Sequence, residues 1–284
     1  MRRRSYLFVP ANRPRMYEHA ERSEADVLVV DLEDAVPVAE KAAARDTVAA
    51  TFGVFAAPAA RVFLRVNADG ALQEADLHLA ARLPLAGLVV PKVEEAADLA
   101  RVADWLAARP ADPQGHHPAI VALLETPRGV LAAPHITAGG HPRLAAVAFG
   151  AEDFSAVMSV DAADAATNAP LLDHARASVT IAAAAAGLPA IDSPSFAVHD
   201  VERVRQETLR ARGFGFTAKF AIHPAQIAPI HEILSPGPEA RAWAQRVLDA
   251  YDAAVREGRG VIEIDGRMVD LPTVRRARAI LGES

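Results

Sequence analysis

Acidic residues crowd the ends of apolar runs in this chain. In VLVVDLEDAVP, residues 27–37, an apolar run leads straight into Asp31, Glu33 and Asp34. Two carboxylates about 5 Å apart at an effective dielectric of about 20 repel by about 3 kcal/mol, a large share of a domain's net stability. A solvated loop with a helix cap tolerates such a cluster, and so does a site that takes a cation. Further on, IVALLETPRG carries Glu125 and AVAFGAEDF carries Glu152 and Asp153, whereas RVFLRVN carries Arg65 and Asn67. Oxygen donors without cysteine or a histidine pair suit Mg2+ or Mn2+ rather than zinc. Asp31, Glu33 or Asp34 would then hold metal-bound waters as an outer layer. Arg65 can meet a carboxylate through two parallel N–H bonds. Each acid alone reads more simply as a solvated loop residue; the whole set at strand ends favours a site.

These side chains need a frame. Eight short apolar runs alternate with helical patterns: Ser5–Val9, Val27–Asp31, Val62–Val66, Gly87–Val90, Ile120–Leu124, Leu144–Phe149, Leu188–Ile191 and Lys219–Ile222. The spacing predicts helices over 93–109 and 171–186. Such alternation implies parallel strands with crossover connections. Eight units in about 230 residues predict an α/β (β/α)8 TIM barrel, in which chemistry sits at the C-terminal strand ends. The rival, a doubly wound sheet, is weakened because no glycine-rich phosphate loop follows a strand. Lys92, Asp192 and His223 also fall at strand ends, His223 as a helix-start residue before Pro224. After Leu234, SPGPEA breaks the pattern. A helix over about 239–256, a hairpin turning at Asp265-Gly266 and a last helix to Leu281 follow. The expected division is a catalytic barrel, 1–234, and a C-terminal extension, 235–284. The extension is too short to fold alone, so it is expected to pack on the barrel or on a neighbouring subunit.

Of the 284 residues 51% are hydrophobic, so a sizeable core is expected. The net charge of −6 argues against nucleic-acid binding. With no cysteine, disulfides and thiolate chemistry are excluded, in keeping with an expected cytoplasmic location. The apolar run after MRRRS is too short for a secretory signal, and no stretch approaches a membrane span. Arg2–Arg4 read as an exposed basic tail, and His116-His117 as solvated loop residues.

RSYLFVPANRPRM, VVDLEDAVPVAEKAAAR, VFLRVN, VVPKVE, LLETPRGV, FGAEDF, KFAIHPAQI and GRMVDLP occur in that order. Together they resemble the citrate lyase β-subunit-like (CitE-like) family of the HpcH/HpaI aldolase superfamily, of the malyl-CoA/citramalyl-CoA lyase type. The resemblance implies a Mg2+-dependent barrel, trimeric or hexameric, that cleaves or forms C–C bonds in 3-hydroxyacyl-CoA thioesters. It implies metal ligands at Glu125 and Asp153 and a substrate-carboxylate arginine at Arg65. It implies a catalytic carboxylate at Asp270, commonly lent across a subunit interface, and CoA-phosphate contacts at Arg13, Arg15 and Lys41. Ala11 stands where the family usually carries glycine. Three other readings remain: a citryl-carrier-protein lyase, an aldolase on free 2-oxo acids, and a non-catalytic CoA- or metabolite-binding paralogue.

Overall fold

The computed structural model describes residues 3–55, 61–68, 70–109, 117–139, 141–162 and 165–282. Eight strands close a parallel barrel in sequence order: β1 (Ser5–Pro10), β2 (Val27–Asp31), β3 (Val62–Arg65), β4 (Gly87–Val90), β5 (Ala119–Leu124), β6 (Leu144–Phe149), β7 (Ala190–Asp192) and β8 (Ala218–Ala221). Each predicted run forms a strand. The seventh begins two residues late, because Leu188 still belongs to the end of the preceding helix. Its N–H donates to Ala183 O at 2.9 Å, and Gly187 takes φ 69°. This left-handed ending is what a glycine after the last helical turn permits.

Strand alternation sorts the apolar residues into two layers. Tyr6, Val27, Val29, Phe63, Val89, Val121, Leu123, Ala148 and Phe220 fill the barrel interior. Leu28, Val30, Leu64, Leu88, Val90 and Leu124 pack on the helices outside. Extending the inward parity by one step reaches Asp31, Arg65 and Glu125. The same rule that builds the core therefore turns these polar residues into the mouth of the barrel. The helices that follow the strands include α1 (Arg15–Glu21), α2 (Lys41–Thr51), α3 (Gly70–Ala80), α4 (Ala96–Ala107), α5 (Pro127–Ala138), α6 (Ala151–Val157), α7 (Ala165–Ala185), α8 (Val201–Phe214) and α9 (Ile227–Leu234). Thr126 caps α5 by accepting from Gly129 N at 3.0 Å, and Pro127 opens it.

Charges are also buried behind the strands. Lys219 is 1% exposed and donates to Asp192 Oδ2 at 2.7 Å and Ser193 O at 2.6 Å. Arg176 Nε reaches Asp192 Oδ1 at 2.9 Å. Burial alone would raise the Asp192 pKa, but Lys219 and Arg176 hold it below the ordinary carboxylate range. Asp192 is thus part of the wall between barrel and helices. Near β1, Arg4 is not an exposed tail residue. Its guanidinium pairs with the carboxylate of Asp26 at 3.0 Å, which gives that acid a partner. Arg2 and His116 lie outside the described residues.

The chain separates into two compact units, Met1–Leu234 and Ser235–Ser284. The second contains α10 (Pro238–Arg256), β9 (Ile262–Ile264), β10 (Arg267–Val269) and α11 (Leu271–Leu281). Asp265 and Gly266 turn the hairpin with φ 52° and 73°, the two positive values a tight primed turn requires. Val247, Leu248, Tyr251, Val269, Val274 and Ala277 form its small core. Among the described residues no helix is long and apolar enough to cross a membrane.

Lys219→Met would leave Asp192 buried with Arg176 as its remaining cation. We expect a loss of about 3 kcal/mol in urea unfolding. A change too small to measure would contradict the ion cluster.

Candidate active site

Residues on or just after β1, β2, β3, β5, β6, β7 and β8 line a cavity of about 440 Å3 at the C-terminal mouth, among them Asp31, Arg65, Glu125 and Asp153. Phe8, Leu123, Phe149, Phe196, Phe220 and Ile222 supply its apolar wall. That size and texture suit a small-molecule site. A larger cavity, about 760 Å3, opens at the other end against Tyr6, Phe63 and Ala218. Size does not decide here: Asp26 on its rim is already paired with Arg4 and His231, and barrel enzymes work at the C-terminal end.

Asp31 ends β2 and grips Arg65, which ends β3 directly beside it. Arg65 Nε donates to Asp31 Oδ1 at 2.7 Å and Nη2 to Oδ2 at 2.6 Å. The same two oxygens accept from the amides of Glu33 and Ala35 at 2.9 and 3.3 Å. Asp31 therefore shapes its own loop and orients Arg65. No oxygen of it is left to hold a metal-bound water, which corrects the sequence expectation. Arg65 Nη1 lies 3.0 Å from Glu33 Oε2 and 3.6 Å from Asp34 Oδ2, and the guanidinium stacks on Phe8 at 4.7 Å. Burial disfavours the Arg65 cation, but Asp31, Glu33 and Glu125 outweigh that and hold its pKa above the ordinary value.

Lys92, to which the sequence assigned no role, ties the acids together. Its ammonium lies 2.7 Å from Glu33 Oε1, 3.3 Å from Asp153 Oδ2 and 3.9 Å from Asp34 Oδ1. Its backbone N–H donates to Glu125 Oε1 at 3.0 Å. The residue takes a left-handed backbone, φ 51°, a conformation that costs a non-glycine residue about 1–3 kcal/mol. Gly150, directly after β6, is the second residue that sequence reasoning passed over. A Cβ there would stand 2.5 Å from Glu125 Cβ and 2.6 Å from its Oε2. Only glycine lets β6 end against that carboxylate. The signal was present: a glycine between an apolar strand and an acidic pair, next to the strand that carries Glu125.

Glu125 is 4% exposed. Burial, and then the charges of Glu33 and Asp153, push its pKa up to about 8 against the pull of Arg65 and Lys92. Burial also raises Glu33, despite its two cations. Glu33 Oε2 and Asp153 Oδ2 are both shut off from solvent, and each faces a cation, Arg65 Nη1 at 3.0 Å and Lys92 Nζ at 3.3 Å, outside hydrogen-bond geometry. Desolvated acids held so close favour a cation between them, because a cation reverses the local field. An all-oxygen set with few protein ligands fits Mg2+, which keeps several waters. Among the described residues no three acids or histidines stand in a metal-holding arrangement. Glu125 and Asp153 would be two ligands, and Lys92 now sits among the acids.

Lys41 is a correction to the sequence reading. It is 5% exposed, and its ammonium donates to Leu32 O at 2.8 Å and Glu33 O at 2.7 Å. It pins the acidic loop from behind and is not presented to a phosphate. Arg13 and Arg15 are exposed near the start of α1. Ala11 is buried with φ outside the positive region; its carbonyl accepts from Tyr17 at 2.7 Å and its N–H reaches Asp31 O at 2.9 Å. Alanine therefore fits here without backbone strain. His223 accepts from Ala225 N at 3.2 Å, which starts the turn at Pro224. Asp270 belongs to the second unit, where it caps α11 by accepting from Thr273 N at 3.3 Å and Thr273 Oγ1 at 3.1 Å.

Known proteins resemble this chain over nearly its whole length. Residues 4–224 match the family model described as HpcH/HpaI aldolase/citrate lyase. A citrate lyase subunit beta-like protein of Deinococcus radiodurans is 39% identical over 98% of this chain and 96% of its own length. A (3S)-malyl-CoA thioesterase of Cereibacter sphaeroides is 32% identical over 99% of this chain and 94% of its own. Among solved structures, CitE of Mycobacterium tuberculosis in complex with magnesium, acetoacetate and coenzyme A superposes with a TM-score of 0.81. It is 32% identical, covering 99% of this chain and 98% of that one.

The native Glu125 pKa lies above its ordinary value of 4.5. Its contribution to stability is therefore whole below about 4.5 and is lost as pH rises through about 8. In chelator-treated protein, the wild-type Tm should fall relative to Glu125→Gln between about pH 5 and about pH 9. Parallel melting profiles would remove the buried-acid assignment.

Proposed function

The chain belongs to the HpcH/HpaI aldolase/citrate lyase family, and on that premise we propose a Mg2+-dependent carbon–carbon lyase. The substrate class is a 3-hydroxyacyl-CoA thioester such as malyl-CoA or citramalyl-CoA, and the products are an acyl-CoA and a 2-oxo acid. The observation that carries this reading is the convergence of Glu125, Asp153 and Arg65 on one cavity with an apolar wall. Glu125 and Asp153 would hold the metal. When bound, it supplies Lewis-acid polarisation of the oxygen on the carbon that becomes the 2-oxo carbonyl.

The protein's own groups do the rest. Arg65, a permanent cation fixed by Asp31, neutralises the carboxylate of the 2-oxo acid part and sets its pose. The wall of Phe8, Phe149, Phe196 and Phe220 excludes water, so that charge developing on the thioester enolate is stabilised by fixed groups rather than by solvent. On the resemblance of GRMVDLP, Asp270 lent by a neighbouring subunit would move the proton at the methyl carbon. Arg13 and Arg15, exposed and cationic, meet the CoA phosphates.

A second reading has a specific support: a relative of similar identity and coverage is named a thioesterase. Hydrolysis would release free CoA and a hydroxy acid, whereas lysis releases an acyl-CoA and a 2-oxo acid. Purified protein with Mg2+ should release glyoxylate, pyruvate or oxaloacetate from one of malyl-, citramalyl- and citryl-CoA, and EDTA should stop it. Asp153→Asn should lower turnover by at least about a hundredfold with an unchanged fold. Free thiol without 2-oxo acid would select hydrolysis. Full activity of Asp153→Asn would refute the metal ligands.

A further inference from the structure

Three carboxylates already surround a cation at this mouth, and that cation is a lysine. Lys92 Nζ stands within 2.7 Å of Glu33, 3.3 Å of Asp153 and 3.9 Å of Asp34. We propose that the Lys92 ammonium holds the place of the divalent cation in the metal-free protein, and that metal binding swings it out to solvent. This rests on the Mg2+ reading above.

Accessibility of the ligand atoms supports the exchange. The Asp153 side chain is 32% exposed, but its Oδ2 is shut off from solvent with the Lys92 ammonium 3.3 Å away. A ligand oxygen has to come within about 2.1 Å of Mg2+, so whatever covers it must first move. Of the two cations at the mouth, Arg65 is unable to leave. Its side chain is 12% exposed, and Asp31 holds it through two hydrogen bonds. The Lys92 side chain is 37% exposed, and its stem is a flexible four-carbon chain. Its backbone N–H, fixed on Glu125 by the left-handed φ, is independent of where the ammonium points. Lys92 is thus a positioning residue with two parts. The amide orients one metal ligand permanently, and the ammonium neutralises the others until a metal replaces it.

The lysine content makes this directly measurable. The chain has three lysines. Lys41 and Lys219 are 5% and 1% exposed and bonded to carbonyl or carboxylate oxygens. Brief acetylation with acetic anhydride, read at each lysine by peptide mass spectrometry, therefore isolates Lys92. Saturating MgCl2 should raise its labelling rate severalfold over choline chloride of equal ionic strength, and EDTA should reverse the change. Calorimetry on the same samples reports Mg2+ binding. Lys92→Met, which has no ammonium to displace, should bind Mg2+ severalfold more tightly than wild type. Mg2+ binding with Lys92 labelling unchanged or slowed would overturn the proposal, as would weaker binding by Lys92→Met. A wild-type protein that binds no Mg2+ would overturn the metal reading and this inference with it.

Discussion

Asp31, Glu33, Asp34, Glu125 and Asp153 bring more negative charge to the barrel mouth than Arg65 and Lys92 bring positive, and burial keeps water from screening Asp31, Glu33 and Glu125. Much of the local architecture answers that imbalance. Asp31 is neutralised by a two-bond grip on Arg65. Glu33 lies between Arg65 and Lys92. Lys41 holds the backbone of the same loop, so Glu33 is unable to swing away into solvent. Glu125 receives only a backbone amide and is lifted toward neutrality. The gap in compensation is therefore greatest between Glu125 and Asp153, where a divalent cation has most to offer.

The closed parallel sheet makes such crowding tolerable. Its interior is packed with aromatic and branched side chains, and inward-facing residues one step beyond that packing are rigidly aimed. Buried ion pairs elsewhere, notably Lys219 with Asp192, are complete and contribute to the wall rather than to chemistry. The contrast is physical. Asp192 has its charge matched and its pKa lowered; Glu125 has its charge unmatched and its pKa raised. Two carboxylates at strand ends of one barrel, on β5 and β7 with β6 between them, thus differ in kind according to what surrounds them.

Family membership and this electrostatic pattern point to one reaction class from separate directions. Thioester substrates of the relatives carry both a carboxylate and an enolisable carbon. Arg65 suits the first, and a cation-bearing mouth suits charge that develops on the second. Lysis and hydrolysis differ in whether water reaches the thioester carbonyl. Phe149, Phe196 and Phe220 are side chains of the cavity wall.

The barrel was legible in the order of its apolar runs, since period and strand length survive without tertiary context; all eight runs became strands. The inward aim of Arg65 and Glu125 was legible too, because a polar residue that ends an apolar strand keeps the inward parity of the residues before it; Asp153, four residues past β6 and inside α6, falls outside that rule. Other features had no local signature. Lys41 and Lys92 are both lysines beside an acidic loop, and nothing in their neighbours says that one is bonded to carbonyls inside the fold while the other is shared among three acids. That difference depends on which loops meet over the mouth. Asp31 likewise looked like one acid of three until the pairing of β2 with β3 set Arg65 beside it. Gly150 did carry a signal, a glycine between an apolar strand and an acidic pair, but its close approach to Glu125 exists only once β6 closes beside β5. Periodicity within a segment is a property of the chain itself, so the sequence alone determined the strands and their inward faces. Charge partners and close approaches are distances between segments, and only the closed barrel decided those.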